Sequence, residues 1–111
     1  MTLKSKNYAE CVRLLNEIAI SSNATPAVFQ QRGICYSRLD LPESAIRDLL
    51  KALAADSANP TTLEELAQVM AANGDQESAL KYLELASSIY LQLGDADNYS
   101  RLLELIEALR R

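Results

Sequence analysis

The chain has 111 residues, 49% apolar and 23% charged, which is enough for one folded domain with a buried core. Its formal charge is −4 without a cluster of Lys and Arg, which argues against a nucleic-acid partner. No apolar run approaches the roughly 20 residues that a membrane helix needs, which argues against a membrane partner.

Apolar residues recur at helical spacing along most of the chain, and polar breaks separate the segments. Thr25 with Pro26, and Asn59 with Pro60, have the composition of helix starts, because Pro lacks an N–H that the first turn would leave unpaired. A polar break at 21–24 precedes the first of these starts. The predicted helices cover 7–20, 26 to about 38, 43–55, 60 to about 72, 76–93 and 96–111.

Other helix ends carry weaker signals. Thr62 and Glu65 have capping-box spacing, which would move the start of the fourth helix slightly later. Gly74 and Gly94 can take the left-handed conformation that closes a helix, whereas Asp40 stands where the first pair of helices lacks such a glycine.

A 34-residue period underlies these helices, with small and large apolar residues alternating in kind. The aligned sets are Cys11, Ala45 and Ala79; Val12, Ile46 and Leu80; Leu15, Leu49 and Leu83; and Ile18, Ala52 and Ala86. Over residues 7–93 the chain thereby resembles the tetratricopeptide repeat (TPR) family, most clearly in GDQESALKYLELA at 74–86 and ESAIRDLLKALAAD at 43–56. The pattern departs from the family at Arg32, which takes an apolar slot.

The resemblance implies an all-α fold, a right-handed superhelical α-solenoid of stacked antiparallel helix pairs with a C-terminal closing helix. It would form a single domain over 1–111, divided into a partial repeat at 7–20, repeats at 26–59 and 60–93, and a closing helix at 96–111. The closing helix fits only if the register moves by two residues. Its predicted core residues are Tyr99, Leu102, Leu103, Ile106 and Leu109.

The residue inventory argues against an enzyme. The chain has no histidine for a catalytic triad or zinc site and no Gly-rich phosphate loop, so we expect neither cofactor nor metal. Cys11 and Cys35 occupy slots for small residues and are predicted to be free thiols and not a disulfide. Free thiols favour a reducing, cytoplasmic location. Gly33 is predicted to allow two helices to cross closely.

In the TPR family the first helix of each pair lines a concave groove that binds peptides or partner helices. By resemblance this groove is lined here by Gln30, Gln31, Ile34, Ser37, Arg38, Thr61, Glu64, Glu65, Gln68, Arg101 and Glu104. Its acidic centre would repel the acidic tails that some family members grip with basic clamps. We therefore expect a protein-binding scaffold or adaptor whose partner is a basic or neutral peptide or helix.

The N-terminal helix offers an alternative, because it lacks the first helix that would cover it. Some of Tyr8, Cys11, Val12 and Leu15 would then be exposed, and such apolar patches usually mark an interface. The helix could make the chain a self-association module or could be the cut edge of a longer TPR array. The groove prediction depends on Glu64 and Glu65, whereas the self-association prediction depends on Val12 and Leu15.

Overall fold

A computed structural model describes residues 3–21 and 24–111, so Ser22 and Asn23 of the predicted polar break lie outside the described residues. These described residues form helices and turns without a strand, which confirms the all-α prediction. The helices are α1 (Leu3–Ile20), α2 (Pro26–Arg38), α3 (Pro42–Ala55), α4 (Pro60–Ala72), α5 (Gln76–Leu93) and α6 (Ala96–Arg110). None of them is long and apolar enough to cross a membrane.

The chain forms two compact units. Unit 1 (Met1–Ser57) holds α1–α3, in which α2 packs against both α1 and α3. Unit 2 (Ala58–Arg111) holds α4–α6, in which α5 packs against both α4 and α6. The predicted division of one domain into repeats stays a prediction.

Side-chain caps set the helix starts. Thr25 accepts a hydrogen bond from the backbone N–H of Val28, and Asn59 accepts from Thr61 at 3.0 Å, each just before the proline that opens the helix. Because Asn59 is the cap, the later start suggested by the capping-box spacing of Thr62 is wrong. Thr62 is instead buried inside α4.

Unit 1 depends on a close crossing of α2 and α3. A Cβ added to Gly33 would lie 2.8 Å from Cγ of Leu49 and 3.2 Å from the carbonyl oxygen of Ala45. Both of these residues are fully buried. The predicted packing role of Gly33 is therefore confirmed, since any side chain would force the two helices apart.

The two cysteines correct the sequence prediction. Cys11 of α1 and Cys35 of α2 form a disulfide, with their Cα atoms 6.4 Å apart, so neither is a free thiol. They do occupy helix-packing positions, as predicted, and Cys35 is buried. Because the two helices bring these positions face to face, the small residue that each slot requires becomes half of a cross-link.

Unit 2 has a continuous apolar core around α5. Leu63, Leu66 and Ala67 come from α4, and they meet a row of small and large residues on α5 that includes Ala79, Leu83 and Ala86. From α6, Leu102 and Ile106 are buried, and Tyr99 and Leu109 are half-buried, as the shifted register predicts. The prediction is wrong for Leu103, which is 43% exposed. In the shifted repeat alignment Leu103 corresponds to Gly33, the position at which α3 crosses α2 in unit 1.

Candidate functional site

The candidate site is a groove of unit 2 between α4 and α6, with α5 as its floor. Both outer helices pack against α5, and an open pocket of about 280 Å³ remains where they do not meet. This volume is near the lower limit for ligand sites, which suits a few side chains better than a large cofactor. The lining residues are Ala67, Gln68, Ala71, Leu83, Leu105 and Leu109.

An ion pair closes one end of this groove. Glu64 of α4 accepts a hydrogen bond from the hydroxyl of Tyr90 at 2.6 Å through one carboxylate oxygen. Its other oxygen lies 2.8 Å from Nη2 of Arg101 on α6. The three residues thus join α4, α5 and α6 at one point, about one helical turn before the apolar pocket begins at Ala67 and Gln68.

This environment changes the acidity of Tyr90. Burial, together with the hydrogen bond to the Glu64 carboxylate, raises the pKa of Tyr90 to about 12. Both causes disfavour the phenolate, since it would be poorly hydrated and would face a carboxylate. Tyr90 therefore stays protonated over the physiological range and keeps donating its hydrogen bond to Glu64.

The opposite end of the groove is closed by contacts between α5 and α6. The side-chain amide of Gln76 donates to the carbonyl oxygen of Leu109, and Arg110 forms an ion pair with Glu84. These contacts hold the last turn of α6 against the first half of α5. The pocket consequently has polar boundaries at both ends and an apolar middle.

The structure brings three of the predicted groove residues together in unit 2, namely Glu64, Gln68 and Arg101. Thr61 and Glu104 are exposed on α4 and α6, and Glu65 is half-buried. The predicted acidic centre is locally balanced, because the Glu64 carboxylate already faces the Arg101 guanidinium. Whether these residues bind a partner stays a prediction.

Sequence reasoning missed the apolar part of the site. Leu105 and Leu109 are four residues apart on α6 and therefore share one face, with Ala71 of α4 on the opposite wall. The spacing of the two leucines was visible in the sequence. The repeat assignment instead placed charged residues of α6 in the groove.

The remaining predicted groove residues belong to unit 1, along α2. Gln31 and Arg38 are exposed, whereas Gln30, Ile34 and Ser37 are half-buried. The amide of Gln31 donates to the side-chain oxygen of Gln30 at 3.4 Å, a long contact that orders neither strongly. These residues form a polar face without a described pocket.

The N-terminal helix differs in detail from its prediction. Tyr8, Val12 and Leu15 are half-buried in α1, which packs against α2. The exposed apolar side chains of α1 are instead Leu14 and two isoleucines, Ile18 and Ile20. In the part of the chain that the structure describes, no group of three or more acidic, Cys or His side chains could hold a metal ion.

Comparison with known proteins shows the fold but no family membership. No family model matches the chain, and no curated protein matches it. The solved structures that it resembles are TPR-like helical repeat proteins. The chain therefore has a TPR-like fold, which agrees with the resemblance seen in its sequence.

Three of these structures cover most of the chain. The type III secretion translocator chaperone SycD of Yersinia enterocolitica has a TM-score of 0.86 at 17% identity, over 96% of this chain and 74% of SycD. PcrH of Pseudomonas aeruginosa has a TM-score of 0.84 at 17% identity, over 96% of this chain and 81% of PcrH. The complex of SycD with a peptide of the translocator YopD has a TM-score of 0.77 at 18% identity, over 96% of this chain and 85% of that SycD chain.

Proposed function

We propose that this chain is a non-catalytic scaffold that binds a segment of a partner protein in the groove between α4 and α6. The observation that carries the proposal is the apolar pocket between two polar boundaries, with leucines on one wall and alanines on the other. Small residues let a bound segment approach the helix backbone, and leucines supply apolar area to bury. The YopD peptide bound to SycD, a protein of similar fold, supports this use of the fold.

The proposed partner is a basic or neutral segment with at least one apolar side chain. Beyond the Glu64–Arg101 pair, the groove region carries Glu65 and Glu104, and α4 contains no Lys or Arg. An acidic segment would meet like charge on both outer helices, which disfavours its approach. The polar face of α2, with Gln30, Gln31, Ile34, Ser37 and Arg38, is proposed as additional contact surface.

A matched pair of leucines tests the groove. Leu105 lines the pocket and is 43% exposed, whereas Leu85 on α5 is 46% exposed and does not line it. We would select binders from a random peptide library displayed on phage and measure their affinity for Leu105→Ser and Leu85→Ser. Only Leu105→Ser should weaken binding, by about tenfold or more, because it removes a central apolar anchor. A library without binders, or equal affinity for both variants, would contradict the proposal.

Self-association through α1 is a second candidate function, because α1 exposes Leu14, Ile18 and Ile20. The half-buried Tyr8, Val12 and Leu15 border this surface along the same helix. Sedimentation of the wild type against Leu14→Ser/Ile18→Ser tests it. A concentration-dependent dimer that the substitutions abolish is expected, and a monomer at all concentrations would contradict it. A place in a longer TPR array stays a separate prediction.

The predicted cytoplasmic location has lost one of its supports. It depended in part on two free thiols, whereas Cys11 and Cys35 are joined in a disulfide, a bond that persists mainly in oxidising compartments. Location therefore stays a prediction, and the groove proposal does not depend on it.

A further inference from the structure

The ion pair at the end of the groove joins two helices that otherwise meet only through α5. Glu64 belongs to α4 and Arg101 belongs to α6, and their closest atoms are 2.8 Å apart. The inference drawn from this pair rests on the proposed function, because it concerns what replaces Arg101 when a partner enters.

The two members of the pair are held very differently. The Glu64 side chain is only 16% exposed, and the protonated hydroxyl of Tyr90 fixes its carboxylate from the floor of the groove. The Arg101 side chain is 46% exposed, and its other hydrogen bonds are to Asn98, one turn earlier on the same helix. Because Arg101 is the exposed member of the pair, a competing cation can reach the carboxylate from solvent and replace it while Tyr90 holds Glu64 in place.

We infer that Arg101 occupies the place of a cationic side chain of the partner. When the partner binds, that side chain displaces Arg101 from Glu64. With Arg101 turned away, the Tyr90-bound carboxylate would be a fixed anion at the mouth of an apolar pocket. A guanidinium or ammonium group matches it in charge and hydrogen bonding. Since α4 has no Lys or Arg, no other cation of that helix competes for the position.

The spacing of the groove defines the rest of the partner segment. Glu64 precedes the pocket residue Gln68 by four residues, which is about 6 Å along a helix. In an extended peptide, side chains two residues apart share one face and are separated by about 6.6 Å. An extended segment in which Arg or Lys stands two residues from Leu, Ile or Met matches this spacing.

Two synthetic peptides test this exchange, SSGRSLGSS and its neutral counterpart SSGQSLGSS, titrated into the ¹⁵N-labelled protein and followed by NMR. Arg101→Gln removes the internal competitor and should strengthen binding of the arginine peptide by about three- to fivefold, without changing the neutral peptide. Glu64→Gln should make the two peptides bind equally. Arg111→Gln is the matched control, because it removes the same charge from the end of α6 at an exposed site that pairs with Glu107 of the same helix.

The outcomes separate the exchange from the groove itself. If the arginine peptide binds Arg101→Gln no better than the wild type, or more weakly, the exchange is wrong. Shifts at Leu105 and Leu109 with the neutral peptide would then still support the groove. If neither peptide shifts these residues in any variant, the proposed function is contradicted along with the exchange.

Discussion

Arg32 and Asp48 form a two-point ion pair between α2 and α3, with Nε 2.6 Å from Oδ2 and Nη2 2.8 Å from Oδ1. Asp48 is only 2% exposed, and the remaining nitrogen of Arg32 donates to Asn16 of α1 at 3.0 Å. The hydrogen bond with Asp48 raises the pKa of Arg32 above its already high usual value. All three helices of unit 1 therefore meet at one buried charge pair.

Removal of one member of this pair should be costly. We expect Asp48→Asn to lower the free energy of unfolding by about 3 kcal/mol, because it leaves the guanidinium of Arg32 without its counter-charge. Leu66 and Tyr82 stand 34 residues after Arg32 and Asp48, so the double variant Arg32→Leu/Asp48→Tyr copies the second repeat. It should lose less stability than Asp48→Asn, because no buried charge is left unpaired. Urea denaturation measures both, and an Asp48→Asn variant as stable as the wild type would be the contrary result.

The Cys11–Cys35 disulfide should stabilise unit 1 through its loop. With a sequence separation of 24 residues, the restriction of the unfolded chain contributes about 3 kcal/mol. A reductant should lower the melting temperature of the wild type by about 10 °C, measured by circular dichroism. The variant Cys11→Ala/Cys35→Val, which copies the matching slots Ala45 and Val69, should melt at the same temperature with or without reductant. Insensitivity of the wild type to reductant would refute the prediction.

Asp40 is a strained position in the turn between α2 and α3. Its φ is 60°, while the residue 34 positions later is Gly74 with φ of 86°. We expect Asp40→Gly to raise the free energy of unfolding by about 0.5–1 kcal/mol, because glycine adopts this conformation without a Cβ clash. Gly74→Asp is the reciprocal control. No atom lies within 4 Å of its added Cβ, so the substitution introduces only backbone strain and should lower the free energy of unfolding by a similar amount. Thermal unfolding measures the stability of both variants, and no change in either would show that Asp40 is not strained.

Tyr90 makes stability depend on alkaline pH. An unfolded tyrosine ionises near pH 10, whereas the folded-state pKa of Tyr90 is raised to about 12. The contribution of its hydroxyl is complete below about pH 10 and is lost as the pH rises to about 12, by about 2 kcal/mol. Tyr90→Phe should remove this part of the pH dependence. Urea denaturation across this range checks it, and parallel curves for the two proteins would show that the phenol has no such role.

Much of the fold could be predicted because helix signals are local. Thr25 with Pro26, and Asn59 with Pro60, indicate helix starts by their own chemistry, and the 34-residue period predicts a helix crossing at Gly33. The disulfide could not be predicted, because it depends on two slots facing each other across α1 and α2. The Arg32–Asp48 pair does have a signature in the sequence. The two residues carry opposite charges, whereas the residues 34 positions later are the uncharged Leu66 and Tyr82.

The site was predicted less completely than the fold. Resemblance placed Glu64, Gln68 and Arg101 in the groove, but the pairing of Glu64 with Arg101 depends on how far α6 slides along α5, which no local pattern specifies. The apolar wall of Leu105 and Leu109 depends on the same register. Residue types at repeat positions therefore predicted a groove surface, and the packing of α6 on α5 determines which side chains meet there.

The cross-link between α1 and α2 also turns residues 11–35 into a covalent ring that contains the whole connection between these helices. Cleavage of the backbone within this ring leaves a two-piece protein that migrates as one until a reductant is added. A cut between residues 10 and 11 would release residues 3–10 without a reductant, because they lie outside the ring. The part of α1 from Cys11 onward is thus joined to the rest of unit 1 by both the backbone and the disulfide, whereas residues 3–10 are joined by the backbone alone.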